Sequence, residues 1–208
     1  MAVNGRKTGR IETSTASGEA VNAFVPFPLP PTNPALDLTD DILAMHQQAE
    51  RCLSDLELVG EMIPSMQWFI YAFVRKEALV SSQIEGTQCT LIDLLNFEAD
   101  TSIDADRHTD VQDVCNYLDA LTFARQQMAS DTGLPISVRL LNETHRLLMR
   151  GVRGADKQPG EIRRSQNWIG GTRPGNAAFV PPPPRLVASL LTELESYIHT
   201  DDKLPPLV

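Results

Sequence analysis

Residues 76–91 read Lys76-Glu77-Ala78-Leu79-Val80-Ser81-Ser82-Gln83-Ile84-Glu85-Gly86-Thr87-Gln88-Cys89-Thr90-Leu91, the end of one helix and the start of another. Upstream, Met66, Phe69, Ile70, Phe73 and Val80 recur at helical spacing down to Ile84, with Pro64 suited to a first turn. Gly86 is the left-handed residue that stops such a helix. Thr90, with Asp93 three residues on, reads as a capping-box start for a short helix through LIDLLNF. Glu85, in the last turn, has the wrong sign. A helix C-terminus bears about half a negative charge, so a carboxylate there costs about 0.3–1 kcal/mol. Glu85 therefore needs something cationic to face.

Outward from this stretch the helical period continues. Toward the N-terminus, Ile42, Leu43, Met45, Ala49, Leu53 and Leu56 share one side of residues 40–60, between a Thr39/Asp40 start and a Gly60 stop. Before it, Phe24-Val25-Pro26-Phe27-Pro28-Leu29-Pro30-Pro31 is extended, because each proline fixes φ and lacks a donor. It reads as an apolar tail docked on the body. Residues 1–22, rich in Gly, Ser, Thr and charge, read as a flexible arm. Toward the C-terminus, the acidic stretch 98–110 reads as a loop. Residues 110–128 then form a long helix with Val111, Val114, Leu118, Leu121 and Met128 inward. Ser137 caps a further helix that stops at Gly151. Residues 159–184 break the period: QNWIG and AAFV are two short β-like pieces around a Gly/Pro/Asn turn, which predicts a hairpin. A last helix follows the four prolines. The fold class is mostly α with a short β-hairpin.

With 208 residues, 42% of them hydrophobic, the chain is long enough to bury a core. A formal net charge of −9 argues against a generally cationic surface for nucleic acid or anionic lipid. Three cysteines, Cys52, Cys89 and Cys115, without CxxC spacing support neither a disulfide framework nor a zinc site, so a reducing cytoplasm is expected. No apolar signal core and no run of apolar residues long enough for a membrane span is present. His46, His108, His145 and His199 lack partners at metal-ligand spacing and read as surface or hydrogen-bonded histidines. No nucleophile elbow, Walker loop or dinucleotide fingerprint occurs.

Residues 76–91 resemble the N-terminal inhibitory region of Fic-domain proteins (filamentation induced by cAMP), whose signature is Ser or Thr, three residues, Glu, then Gly or Asn. Ser81, Glu85 and Gly86 fill those positions. The FVPFPLPP tail resembles the family's proline-rich N-terminal tail. Pro159-Gly160-Glu161-Ile162-Arg163 and Trp168-Ile169-Gly170-Gly171 resemble the approach to the family's flap hairpin, and Phe179-Val180-Pro181-Pro182-Pro183-Pro184 its exit. The resemblance covers about residues 20–208. It implies a Fic-type helical bundle divided into an arm and proline-rich tail (1–35), an N-terminal inhibitory domain (36–105), and the first part of the core domain with its flap (106–208).

One departure bears on mechanism. Fic enzymes carry an HPFxxGNGRxxR loop, and no histidine here is followed by Pro-Phe. In the family that loop comes shortly after a segment like Asp201–Leu207. The expectation is therefore the N-terminal part of a longer Fic protein, with no catalytic residue in this chain. The resemblance implies a protein adenylyltransferase that moves AMP from ATP, with Mg2+, to a hydroxyl of a target protein. ATP and Mg2+ would be bound mainly by residues outside the 208. Glu85 would pair with the loop arginine that otherwise binds the ATP γ-phosphate. The flap, residues 166–178 with Trp168, Ile169, Gly170 and Gly171, would dock the target on an exposed edge, Ile169 clamping the modified side chain. Implied partners are a target hydroxyl, the protein's own included, and a second copy in a homodimer, with no membrane or nucleic acid. Two alternatives stay open: a non-catalytic, antitoxin-like Fic remnant, or a Fic enzyme that removes AMP or transfers another phosphate-containing group.

Overall fold

The computed structural model describes residues 7–16, 18–32, 34–84, 86–99, 105–151, 156–201, 204, 205 and 207. Among these, six α-helices and one two-stranded hairpin are formed, so the chain is mostly α. It divides into two compact units, residues 1–50 with 162–208, and residues 51–161.

The first unit holds the hairpin. Strands β1 (Gly9–Ala16) and β2 (Glu19–Pro26) pair antiparallel from Gly9↔Pro26 to Ala16↔Glu19. Residues 9–16 and 19–22 are thus not the flexible arm expected, while residues 24–26 are extended as read. Their polar composition resembles disorder, but Val21, Ala23 and Val25 alternate with less buried neighbours and lie buried on one face. Gly18, at φ +80°, supplies the left-handed turn residue, and Thr13 donates to Asn22 across the strands at 3.0 Å. The open edge of β2 is partly used: Phe24 N–H donates to Val180 O at 2.8 Å.

The chain then runs extended, and Phe27, Pro28 and Leu29 wall an apolar cavity of about 430 Å³ with Val187, Leu190, Leu191 and Leu194. Those four residues belong to helix α6 (Pro184–Ile198), which starts on a proline, where a missing N–H costs nothing. Over residues 166–180, the hairpin expected from QNWIG and AAFV is reduced to one antiparallel bridge, Ile169↔Phe179. Gly170 and Gly171, at φ +68° and +74°, turn the chain off the strand path directly after Ile169. A 3-10 turn, Pro174–Asn176, closes the loop.

Helix α1 (Asp40–Glu61) begins with Asp40 and Asp41 in its first turn, favourable for the helix dipole, and no residue of it is buried. The apolar stripe that shares one side of it, from Ile42 to Leu56, is exposed.

The second unit packs α2 (Met66–Ile84), α3 (Leu91–Glu98), α4 (Ala105–Ala129) and α5 (Val138–Leu148). Its core is Ala78, Leu79, Cys89, Leu94, Val111, Val114 and Leu118, with Val74 and Phe97 packed against it. Helix α2 is apolar on more than one side, so periodicity alone selected its bulkier stripe. The structure turns Val74, Ala78 and Leu79 inward and leaves Phe69, Phe73 and Val80 exposed. Helix α4 starts at Ala105, within the stretch read as a loop. Acidic residues suit a first turn, so low hydrophobicity alone does not mark a loop. Val111, Val114 and Leu118 do face the core, but Met128 is exposed. Fully buried Asn116 donates to Arg150 O at 2.7 Å and accepts from Gln112 at 3.1 Å, satisfying its amide while closing the α5 exit. Ser137 Oγ accepts from Leu140 N–H at 3.2 Å as the N-cap of α5.

A polar clamp joins α2 to α3. Glu98 accepts from Tyr71 Oη at 2.9 Å and from Arg75 Nε and Nη2 at 3.1 and 2.5 Å, while the Arg75 guanidinium lies 3.2 Å from the Tyr71 ring centroid. Burial alone would raise the Glu98 carboxyl, but the bonds from Arg75 and Tyr71 outweigh it and hold the pKa below the ordinary 4.5. A carboxyl lowered in the folded state contributes stability that is complete above its unfolded-chain value and is lost as pH falls through the folded value. Urea unfolding between about pH 5 and about pH 3 is therefore expected to weaken more steeply for the native chain than for Glu98→Gln. Parallel pH profiles would remove the clamp from the account. Among the described residues no helix is long and apolar enough to cross a membrane.

Candidate functional site

Ser81 and Gly86 share the C-terminal end of α2, and the backbone there is over-determined. Gly86 N–H donates to Gln83 O at 3.0 Å and Thr87 N–H to Ser82 O at 3.1 Å, the two bonds of a Schellman ending. Gly86 has φ +96° with open space around it, so the backbone and not packing demands glycine. Ser81 Oγ donates to Glu77 Oε1, one turn back, at 2.9 Å. Glu85 lies outside the described residues.

The five residues that follow are fixed from several sides. Gln83 Nε2 donates to Cys89 O at 3.1 Å, folding the helix end onto the approach to α3. Gln88 N–H donates to Asp110 on α4 at 2.7 Å. Thr90 and Asp93 form the capping box expected from their spacing: Asp93 N–H donates to Thr90 Oγ1 at 3.2 Å and Thr90 N–H to Asp93 Oδ2 at 2.9 Å.

Trp168, Ile169, Gly170 and Gly171 share one loop, in the other unit. Ile169 exchanges both main-chain hydrogen bonds with Phe179, at 2.8 and 3.1 Å, and the residue is 66% exposed. Asn176 Oδ1 accepts from Thr172 and Arg173 N–H at 3.1 and 3.0 Å, stapling the loop tip. A Cβ at Gly171 would lie 2.5 Å from Asn176 O, so this tight tip also requires glycine. At the loop's root, Arg163 donates to Ser165 O at 2.9 Å and to Pro182 O, and Gln166 donates to Pro181 O at 2.9 Å. Burial of the Arg163 guanidinium pulls its pKa below the ordinary value. Its role is to tie the two legs of the loop together.

The remaining candidates are placed as follows. His145 Nδ1 accepts from Gly160 N–H at 3.0 Å, and His46 Nδ1 lies 3.5 Å from Glu50. None of the three cysteines forms a disulfide, and burial pushes the Cys115 thiol up to about 11, so it is not a thiolate at neutral pH. Among the described residues no group of three His, Cys, Asp or Glu side chains could hold a metal ion. Sequence reasoning missed Glu19, whose carboxylate accepts from Arg173 Nη1 at 2.5 Å and from Gly175 N–H at 3.2 Å. The Ser17-Gly18 pair between alternating runs was the signal that a turn would place it.

No curated protein matches the chain. Residues 43–126, which contain α2, the Gly86 turn, α3 and most of α4, match the family model described as Fic/DOC family N-terminal. Over those residues the chain is similar to the N-terminal region of Fic/DOC family proteins.

Proposed function

We propose that this chain is the regulatory and target-docking part of an autoinhibited, cytoplasmic Fic protein adenylyltransferase. The observation that carries the reading is the Schellman-terminated end of α2, at Ser81 and Gly86, inside the segment matched to the Fic/DOC N-terminal region. In this reading Glu85 leaves that fixed helix end toward an arginine of the catalytic loop and so occupies a group that would otherwise seat the γ-phosphate of ATP. A charge-assisted Arg–carboxylate contact contributes about 1.5–3 kcal/mol, more than the dipole cost of an acid at a helix C-terminus. The loop carrying Trp168, Ile169, Gly170 and Gly171 offers main-chain edge and the exposed Ile169 side chain to the target.

The reaction joins a target hydroxyl oxygen to the α-phosphorus of ATP, releases pyrophosphate, and passes the hydroxyl proton to a base. The 208 residues contain no HPFxxGNGR loop; in this reading the base, the phosphate loop and the Mg2+ ligand would be supplied from outside them. The test uses α-labelled ATP. The 208 residues alone are expected to take up no covalent label, and addition of the loop-bearing part of the protein should restore labelling of a protein hydroxyl. Label on the isolated chain, or release of AMP from a premodified target as the sole activity, would overturn the reading.

A further inference from the structure

The N-terminal hairpin is fastened to the 167–179 loop and its neighbours at two places, around Glu12 and Phe24 and at its turn end. Arg185, in the first turn of α6, donates to Glu12 of β1. One register step further from the turn, Phe24 N–H donates to Val180 O at 2.8 Å, and the Phe24 and Phe179 ring centroids lie 6.1 Å apart. At the turn end, Glu19 spends both carboxylate oxygens on the loop tip, one on Arg173 Nη1 at 2.5 Å and one on Gly175 N–H at 3.2 Å. A Cβ at Gly175 would lie 2.3 Å from that second oxygen. Gly175 has no positive φ, so alanine fits the backbone and only displaces the end of a flexible side chain. This glycine serves the approach of Glu19.

We propose that Glu19 is a positioning residue that latches the tip of the 167–179 loop, so that Trp168 and Ile169 are presented as a pre-formed edge. The inference rests on the reading of this loop as the docking flap. A loop with a single antiparallel bridge has little intrinsic order. Captured at its tip by a carboxylate and at its root by Arg163, it meets a target with less ordering left to do. The Glu19–Arg173 pair is 32% and 59% exposed, so solvent and salt weaken it, which suits a latch that holds without locking.

Amide hydrogen exchange on the 208-residue chain tests the latch directly. Glu19→Gln and Gly175→Ala should each speed exchange across 169–179 by about two- to fivefold, with α4 and α5 unchanged. About 0.5 M salt should do the same to the native chain and add little to Glu19→Gln. Unchanged loop exchange in both variants overturns the proposal, and so does a rise spread evenly over the whole first unit, which would make Glu19 a residue of the fold and not of the loop. In the catalytically complete protein, both variants should raise KM for the target severalfold while kcat and KM for ATP hold. A loop that loosens without any change in target KM would leave the latch in place and overturn the docking role of the loop beneath it.

Discussion

Replacing Glu85 by glycine is expected to raise AMP transfer by the catalytically complete protein about 10- to 100-fold, the equivalent of about 1.4–2.8 kcal/mol of lost inhibition. On the proposed reading the substitution removes a carboxylate that competes for the phosphate-binding arginine, and it should leave the geometry of α2 alone. Its terminus is set by Gly86 and by the two main-chain bonds to Gln83 and Ser82, none of which involves the glutamate side chain. Stability should therefore hardly change. Glu85→Asp should fall between native and glycine, because a shorter acid weakens the contact without deleting the charge. The measurement is initial-rate labelling of a target with α-labelled ATP, beside ATP affinity. If Glu85→Gly leaves rate and affinity unaltered while alanine at other α2 surface positions activates, the inhibitory role belongs elsewhere on the helix.

What sequence reading recovers and what it misses divide along a physical line. The Gly86 stop and the Thr90–Asp93 box were legible because caps and stops are local: the residues that decide them lie within four positions of one another. The inward face of α2 was not. Phe69 and Phe73 make a bulkier stripe than Val74, Ala78 and Leu79, yet a small residue lets α2 approach α4 closely, and that choice is made by the partner helix. The hairpin at 9–26 was hidden for a different reason. GRIETSTASGEAVNAFV has the composition of a solvated arm, and only the alternation of Val21, Ala23 and Val25 behind a Ser-Gly turn separates it from one. Composition averages over the period that carries the signal. Glu19 was missed with the hairpin, since its contacts with Arg173 and Gly175 lie more than 150 positions along the chain.

Leu94→Ala is expected to cost about 2–5 kcal/mol, which makes it the most damaging single truncation in the second unit. Leu94 is 0% exposed and, among the described residues, is the largest fully buried side chain, set among Ala78, Leu79, Val111, Val114 and Leu118. It is also the sole buried residue of an eight-residue helix. A helix of that length has too few internal bonds to persist unaided, so α3 holds its place through Leu94 inside, the Thr90 cap at one end and Glu98 at the other. Removing the side chain leaves a cavity between α2 and α4 that neighbours anchored on longer helices fill only in part. The loss should appear as a lower urea midpoint with little change in slope. Thr90→Ala should cost about 1 kcal/mol by the same measurement, because a cap contributes one satisfied donor and no packed volume. A Leu94→Ala midpoint within the range expected of a surface substitution, about 0.5 kcal/mol, would mean that α3 is not packed on α2 and α4 in solution. The link from Gly86 to Thr90 would then lose the anchor that fixes the end of α2.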